Sequence, residues 1–158
     1  KNNLWVGSNI HGLWKIDSTR KDVIYYNKKY KNKYHLSNNI VHDIVQDRSG
    51  RIWISTKGGG INVKEPGKTK LYQIKSRTIN PEGLSTDNLL STYIDENGII
   101  WFGSDGGGIH KFNPNKEQFK SLKHIDGEPN SIDNNTIYSI IRSEGGFLWV
   151  ARQHELGT

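Results

Sequence analysis

Four tryptophans recur at a constant interval of 48 residues, and this spacing constrains the fold more than any other feature of the chain. They are Trp5, Trp53, Trp101 and Trp149. Apolar residues flank each of them, as in Ile52-Trp53-Ile54, and glycines follow a few residues later in the first three units. Repeats of roughly 20–50 residues indicate solenoids, propellers or arrays. The chain is therefore predicted to consist of copies of one supersecondary unit.

Each repeat predicts four short strands, which we name A to D in chain order. Strand A is predicted at 41–47, 89–95 and 137–143. Strand B holds the repeated tryptophan. Strand C is predicted at 13–16, 61–63 and 109–112, and strand D at 23–26, 71–74 and 119–122. No segment keeps the apolar period of about 3.6 residues that is typical of a helix, so helical repeats are disfavoured.

Four short antiparallel strands in every 40–50 residues or so are typical of a β-propeller blade. The predicted fold class is therefore all-β, with four-stranded antiparallel blades and a 48-residue repeat. We assign 1–35 to a first blade without strand A, 36–83 to a second blade, 84–131 to a third and 132–158 to the start of a fourth. Closed rings hold about 4–8 blades, so just over three blades predict an incomplete ring.

An incomplete ring leaves the outer faces of its terminal blades without a neighbour. Large exposed apolar patches promote association. We therefore expect these faces to drive self-association or to be covered by the remaining blades of a longer protein. The chain begins inside a strand-like pattern at Leu4-Trp5, and we expect it to be a segment of such a protein.

The repeated residues suit the packing between blades. Middle strands that are covered on both faces should be almost continuously apolar. We therefore assign a structural role to the four repeated tryptophans, and to Gly60 and Gly108 in the loops before strand C. A sugar-stacking platform is the alternative role for an aromatic residue, and it suits Trp14 better because Trp14 stands outside the repeat.

The strongest sequence pattern spans the A–B turn, strand B and the glycine loop. It is DRSGRIWISTKGGGI at 47–61 and DENGIIWFGSDGGGI at 95–109. This pattern resembles the two-component regulator propeller repeat. The last unit departs from the pattern, because 151–158 lacks the double glycine and Ser143 stands where the other units have Asp47 and Asp95.

The resemblance implies that the chain comes from the periplasmic sensor region of a bacterial hybrid two-component system. In such a protein, two seven-bladed propellers, a small β-sandwich and one membrane span precede a histidine kinase, a receiver and a DNA-binding regulator of transcription. The implied function of the propeller is non-catalytic ligand sensing, often of oligosaccharides, with signalling across the inner membrane. A non-enzymatic protein-interaction scaffold is the alternative function.

Catalytic motifs are absent from the sequence, which contains no G-x-S-x-G, no P-loop and no H-E-x-x-H. The lack of cysteine excludes disulfides and thiolate metal sites. No two histidines have metal-ligand spacing, so we expect them at exposed or loop positions. They are His11, His35, His42, His110, His124 and His154. We predict no catalytic residue, no metal and no cofactor.

An enzyme, such as a propeller lyase or glycosidase, is a third class of function. It needs convergent acids or a metal in the central channel. Asp47 and Asp95 are repeat equivalents at the A–B turns of different blades, rather than a pair in one site. Aspartate in such turns commonly bonds backbone N–H groups, so we predict that both close Asx-turns.

Loops at one end of the ring are the expected ligand-binding surface, because polar loop residues on a rigid scaffold commonly bind ligands. The D–A and B–C connections share that end. The candidates there are His35, Asn39, Lys57, Asn88, Asp105 and Asn135, with Asn38, Asp87 and Asn134 beside them. Their amide, carboxylate and ammonium groups can bond sugar hydroxyls. The alternative is that the Asn and Asp side chains only cap turns.

The net charge of +6 raises the question of a polyanionic partner. The basic residues are scattered, and the densest group, Lys28, Lys29, Lys31 and Lys33, lies in one loop. A nucleic-acid footprint should cluster on one face, so we expect a solvated surface and no contact with nucleic acid. No apolar run approaches the roughly 18 residues of a membrane span, so we do not expect this segment to be embedded in a membrane.

Overall fold

The repeat folds into strands along the whole of the described chain. The computed structural model describes residues 3–77 and 83–152, and in those ranges it contains thirteen strands and no helix. The strands are β1 (Leu4–Gly7), β2 (Leu13–Ile16), β3 (Val23–Tyr26), β4 (Val41–Gln46), β5 (Ile52–Thr56), β6 (Gly60–Lys64), β7 (Tyr72–Ile74), β8 (Leu89–Ile94), β9 (Ile100–Ser104), β10 (Ile109–Asn113), β11 (Gln118–Leu122), β12 (Ile137–Arg142) and β13 (Leu148–Arg152). Strands A, C and D lie within one residue of their predicted ends.

The strands form four antiparallel sheets in chain order. The second sheet has the strand order β4-β5-β6-β7 and the third β8-β9-β10-β11, so each is a complete four-stranded meander. The first sheet contains β1-β2-β3 and the fourth contains β12-β13. Strand β4 contacts β8, and β8 contacts β12, so the A strands of these successive sheets are neighbours. The prediction of propeller blades that do not close a ring is confirmed.

A β-bulge stands at the same place in each A–B pair. The register shifts between Val41 and Asp43, between Leu89 and Ser91, and between Ile137 and Ser139. A bulge adds one residue to one strand and increases the local twist. Beside the first bulge, Asp43 Oδ2 accepts the backbone N–H of Thr92 at 2.6 Å, which links the second sheet to the third.

The core lies between successive sheets. Side chains alternate between the two faces of a strand, so Ile52 and Ile54 pack toward the first sheet while Trp53 packs toward the third. Every residue of β5 and β6 is buried. In the second sheet the middle strands are therefore covered on both faces, as the continuous apolar pattern predicts.

The sheets at the two ends leave apolar side chains uncovered. Leu4 is 55% exposed, whereas the equivalent Ile52 is 6% exposed. Trp149 is 63% exposed, whereas the equivalent Trp53 is fully buried. The first sheet therefore exposes the face that precedes it, and the fourth sheet exposes the face that follows it.

Gly60 stands where strand C begins, and alanine is expected to be poorly tolerated there. Its φ is +70°, and a Cβ built on it would lie 2.3 Å from the carbonyl oxygen of Ile74. We expect Gly60→Ala to lower the free energy of unfolding by at least about 2 kcal/mol, because left-handed strain adds to this contact. Gly67→Ala is the control, because Gly67 has a φ of +74° and nothing within 4 Å of its Cβ position. Urea denaturation should give the control a cost of about 1 kcal/mol. Equal costs would contradict the steric argument.

Candidate functional site

Three equivalent residues, Asn39, Asp87 and Asn135, close the connections between strands D and A. Each Oδ1 atom accepts a backbone N–H from the beginning of its own connection, at 2.7–2.8 Å. The donors are Lys28, Ser76 and His124. Each carbonyl oxygen accepts the N–H of the glycine before strand C, and these glycines are Gly12, Gly60 and Gly108. The long D–A connection is thereby fixed against the B–C loop of the same blade.

The B–C loops lie beside these connections and are joined to them through the backbone. The N–H of Lys57 donates to the carbonyl oxygen of Ile40 at 3.1 Å, and the N–H of Asp105 donates to that of Asn88 at 2.9 Å. The Asp105 carboxylate also accepts the hydroxyl of Thr136 at 3.3 Å. Lys57 and Asp105 are both exposed, so their charged groups are open to solvent at this end of the sheets.

Five of the six predicted ligand residues lie where the D–A and B–C loops meet, and His35 lies earlier in the D–A connection of the first sheet, where it forms a bridge with Asn27. Asn39 and Asn135 already use their side-chain oxygens to close turns, which agrees with the turn-capping alternative. The Nδ1–H of His35 donates to the carbonyl oxygen of Tyr30 at 2.6 Å, and His35 lines a cleft that also includes residues of the second sheet. The binding roles of all six residues stay predictions.

Trp14 stands on the uncovered side of the first sheet. Its ring stacks on Tyr25, with the ring centroids 5.1 Å apart and the planes inclined by 19°. One face of the indole is therefore covered by the chain itself. A sugar that stacked on Trp14 would use the opposite face.

His110 and His42 lie in strands, and the expectation of exposed or loop positions was wrong for both. His110 is fully buried in β10. His42 lies in β4, where its Nδ1–H donates to the carbonyl oxygen of Leu89 at 2.8 Å. A strand position that faces a neighbouring sheet can bury an imidazole when hydroxyl or carbonyl groups bond it. His154 lies outside the described residues.

Hydroxyl groups surround the buried ring of His110. Its two nitrogens lie within 3.4 Å of three hydroxyl oxygens, those of Ser85, Ser104 and Ser121. Asn62 takes the equivalent position in the second sheet, where its Nδ2 donates to Ser37 Oγ at 2.6 Å. Because Ser37 and Ser85 are repeat equivalents, this position in strand C ties the D–A connection to the sheet in both complete blades.

The buried imidazole predicts a loss of stability in acid. Burial lowers the pKa of His110 from 6.5 to about 4. Between these two pKa values the imidazole binds a proton in the unfolded chain but not in the folded chain. The free energy of unfolding therefore falls as the pH drops from about 6.5 to about 4. Asn62 occupies the equivalent position in the second sheet, so His110→Asn is the matched variant without a titratable group. Between pH 7 and about pH 4.5, the unfolding free energy of this variant should fall by about 2 kcal/mol less than that of the original protein. Urea denaturation at both pH values measures the effect, and an equally acid-sensitive variant would contradict it.

The A–B turn contains a carboxylate–indole bond that the sequence analysis did not predict. Asp47 closes the turn as expected, accepting the N–H groups of Ser49 and Arg51 at 2.9 Å. Its Oδ2 also accepts the Nε1–H of the buried Trp53 at 2.9 Å and the Nε–H of Arg51 at 2.7 Å. The six-residue separation of aspartate and tryptophan is the sequence feature that could have revealed this bond.

The carboxylate–indole bond recurs in the third sheet, and a serine replaces the aspartate in the fourth. Asp95 Oδ2 accepts the Nε1–H of Trp101 at 3.0 Å. Ser143 occupies the equivalent position in the last unit, where Trp149 is exposed. Asp47 and Asp95 therefore hold the turn and orient the indole, which confirms the prediction of Asx-turns and adds a second role.

A cleft opens where the D–A connection of the first sheet meets the C–D loop of the second. Two adjoining cavities of about 590 and 460 Å³ form it. Its lining residues are Lys31, Asn32, Lys33, His35, Glu65, Lys68, Lys70, Leu71, Tyr72 and Gln73. A groove of about 470 Å³ beside β7 and β11 adjoins the cleft through Glu65, Tyr72 and Gln73, and it is lined by charges of both signs.

Metal-ligating groups are dispersed over the described part of the chain. Within residues 3–77 and 83–152, no three His, Cys, Asp or Glu side chains are placed to hold a metal ion. No helix in these ranges is long and apolar enough to cross a membrane.

The successive sheets, their strand order and their repeated turns define a segment of a β-propeller. Residues 35–58 match the family described as two component regulator propeller. This match confirms, for those residues, the resemblance found in the sequence. No curated protein matches the chain significantly.

Solved structures share this fold at low sequence identity. The extracellular domain of a putative one component system from B. thetaiotaomicron is 24% identical, with a TM-score of 0.77 over 94% of this chain and 20% of that one. The extracellular domain of a putative hybrid two component system from B. thetaiotaomicron is 18% identical, with a TM-score of 0.58 over 95% and 24%.

A third similar structure has a different role. PorZ, a surface component of the type-IX secretion system of Porphyromonas gingivalis, is 12% identical, with a TM-score of 0.64 over 92% of this chain and 22% of that one. The chain thus spans between a fifth and a quarter of the length of these proteins.

Proposed function

We propose that the chain is part of the extracellular ligand-sensing propeller of a hybrid two-component sensor, with its sensor region in the periplasm and its anchor in the inner membrane. The match of residues 35–58 to the two component regulator propeller family carries this proposal. The shared fold of the extracellular domain from B. thetaiotaomicron supports it. The blades at 1–35, 36–83, 84–131 and 132–158 then belong to a larger ring. Further blades of the same protein, or another copy of the chain, cover the uncovered faces.

The ligand that we propose for the sensor is an oligosaccharide, bound without chemical turnover. The end of the sheets where the D–A and B–C connections meet supports this proposal, because polar loops there stand on rigid strands. The exposed ammonium group of Lys57 and carboxylate of Asp105 can bond sugar hydroxyls. The signal then passes across the membrane to a histidine kinase in the same protein.

Calorimetric titration of the complete sensor region with a panel of oligosaccharides tests this function. Heat of binding without any cleavage product is the expected result. The double variant Lys57→Ala and Asp105→Ala should weaken binding, whereas the charge-matched control Lys116→Ala and Glu144→Ala should not, because Lys116 and Glu144 are exposed elsewhere. No heat and no shift in melting temperature for any glycan class would contradict carbohydrate sensing. Cleavage of a glycan would contradict the non-catalytic function.

A protein-interaction scaffold is the alternative proposal. The shared fold of PorZ favours it, because that protein is described as a surface component of a secretion system. The alternative predicts that a protein partner, rather than a glycan, stabilises the complete propeller. A membrane span and a kinase encoded downstream in the same reading frame would favour sensing, and further repeats alone would favour the scaffold.

A further inference from the structure

We propose that the cleft between the first and second sheets binds an acidic saccharide, one that carries several carboxylate or sulfate groups. The proposal rests on the proposed sensing function and names a second site for it, between the first D–A connection and the C–D loop of the second sheet. The observation that carries it is the convergence of lysines from two blades on one concave surface.

A buried tyrosine brings the two lysine-bearing loops together. Tyr26 is fully buried at the end of β3, and its hydroxyl donates to the carbonyl oxygen of Thr69 at 3.2 Å. Lys68 and Lys70 flank Thr69 in the C–D loop of the second sheet. Tyr26 also packs edge-on against Tyr34, with the ring centroids 5.8 Å apart. The first D–A connection is therefore fixed beside the second C–D loop.

The D–A connection supplies the other ammonium groups. Lys31 and Lys33 line the same cavity as Lys70, although about forty residues separate the two loops. The ammonium group of Lys33 lies 5.2 Å from the centroid of the Tyr34 ring, which keeps it at the wall of the cleft. Lysines from two separate loops therefore form one cationic surface in the fold.

The charge of the cleft is positive after its internal ion pair is taken into account. Glu65 is the one carboxylate among the described lining residues, and it pairs with Lys68. Lys31, Lys33 and Lys70 have no carboxylate partner among the described residues. Concave surfaces that are lined by one sign of charge concentrate ligands of the opposite sign. An anionic ligand is therefore favoured over a neutral one.

The other lining groups favour a saccharide among the anions. Asn32 and Gln73 provide amides that can bond hydroxyls, and Tyr72 is 40% exposed and presents an aromatic ring. The Nδ1–H of His35 is already bonded to Tyr30, so Nε2 is the nitrogen that is left for a ligand. Adjoining cavities of about 590 and 460 Å³ provide room for several sugar rings. A nucleic acid instead needs a longer basic face.

Binding of defined probes by the intact protein tests the proposal. The probes are a galacturonic acid tetrasaccharide, a chondroitin sulfate tetrasaccharide, neutral maltotetraose, inorganic sulfate and a single-stranded oligonucleotide. We expect at least one acidic tetrasaccharide to bind about tenfold or more tightly than maltotetraose and inorganic sulfate, with affinity that falls as salt is added.

Two triple variants locate the binding. Lys31→Gln, Lys33→Gln and Lys70→Gln should together weaken binding of the acidic saccharide about tenfold. Lys116→Gln, Lys120→Gln and Lys123→Gln remove the same charge from exposed positions of the third blade. They should change binding less than about twofold, because the cavity that Lys116 and Lys120 line with Lys111 is small, at about 220 Å³. All six lysines are exposed, and equal melting temperatures would show that both variants fold.

Several outcomes would overturn the proposal. They are equal losses in the two triple variants, tighter binding of the oligonucleotide through the same lysines, and acidic saccharides that bind no better than inorganic sulfate. Binding of neutral glycans without any binding of the acidic tetrasaccharides would also overturn it, while leaving the sensing function intact. Failure of every glycan to bind would instead count against the sensing function as well.

Discussion

Replacing Trp53 by alanine is expected to lower the free energy of unfolding by about 3–5 kcal/mol, as for large aromatic residues in other cores. Trp53 is fully buried between the second and third sheets. Its ring lies 5.2 Å from that of Phe112 and 6.3 Å from that of Phe102, measured between centroids. The substitution would leave a cavity at the centre of this interface and an Asp47 carboxylate without its indole donor.

Trp149→Ala is the matched control, because Trp149 occupies the same place in the repeat and is 63% exposed. We expect its cost to stay within about 0.5 kcal/mol, as for most exposed positions. Guanidinium denaturation, followed by circular dichroism at low protein concentration, measures both variants. Similar costs for the two would show that burial between blades does not determine the contribution of these tryptophans.

Asp47→Ala is expected to cost about 3 kcal/mol, although it removes only a small side chain. Asp47 accepts hydrogen bonds from two backbone N–H groups, from Arg51 and from the indole of Trp53. The variant leaves the indole N–H buried without an acceptor. A buried donor that loses its partner costs about 1–3 kcal/mol on its own, and the opened turn adds to this cost.

Asp95→Ala provides the comparison within the same chain. Asp95 makes the same turn and the same indole bond, but Trp101 is only partly buried and Ile99 replaces the arginine. We therefore expect Asp95→Ala to cost about half as much as Asp47→Ala. Denaturation of both variants under the same conditions gives the ratio. Equal costs for the two variants would mean that the shared turn, and not the buried indole bond, dominates the effect.

The sequence predicted the strands well because their signals are local and repeated. Three signals recur in the next unit: the apolar run around Trp53, the glycine turn before it and the glycine loop after it. Each strand is therefore indicated by more than one copy of the pattern. Positions such as Gly60 could be assigned for the same reason, since a left-handed backbone restricts the choice of residue. The A strands ended one residue earlier than predicted, because Asp47 and its equivalents already belong to the turn.

Side-chain contacts between separate strands and loops could not be predicted in the same way. His110 looks like an isolated polar residue in the sequence, and only the fold shows the serine hydroxyls that allow it to be buried. The lysine cleft depends on two loops that belong to different blades and are joined through Tyr26. The hydroxyls around His110 come from two strands and a loop of a single blade, whereas the cleft arises from the stacking of two sheets.

The uncovered faces of the first and fourth sheets are different surfaces, and this difference bears on how two copies could pack through them. One face presents Leu4 and Val6, and the other presents Ile141 and Trp149. Within the repeat, each sheet packs the face of one kind against the face of the other kind. Two copies that met through these faces in the same way would therefore join head to tail. Such heterologous contacts close into a ring when the rotation per copy fits a full turn, and otherwise grow into an open filament. Contacts between these two different faces therefore favour rotational rings or fibres over two-fold dimers.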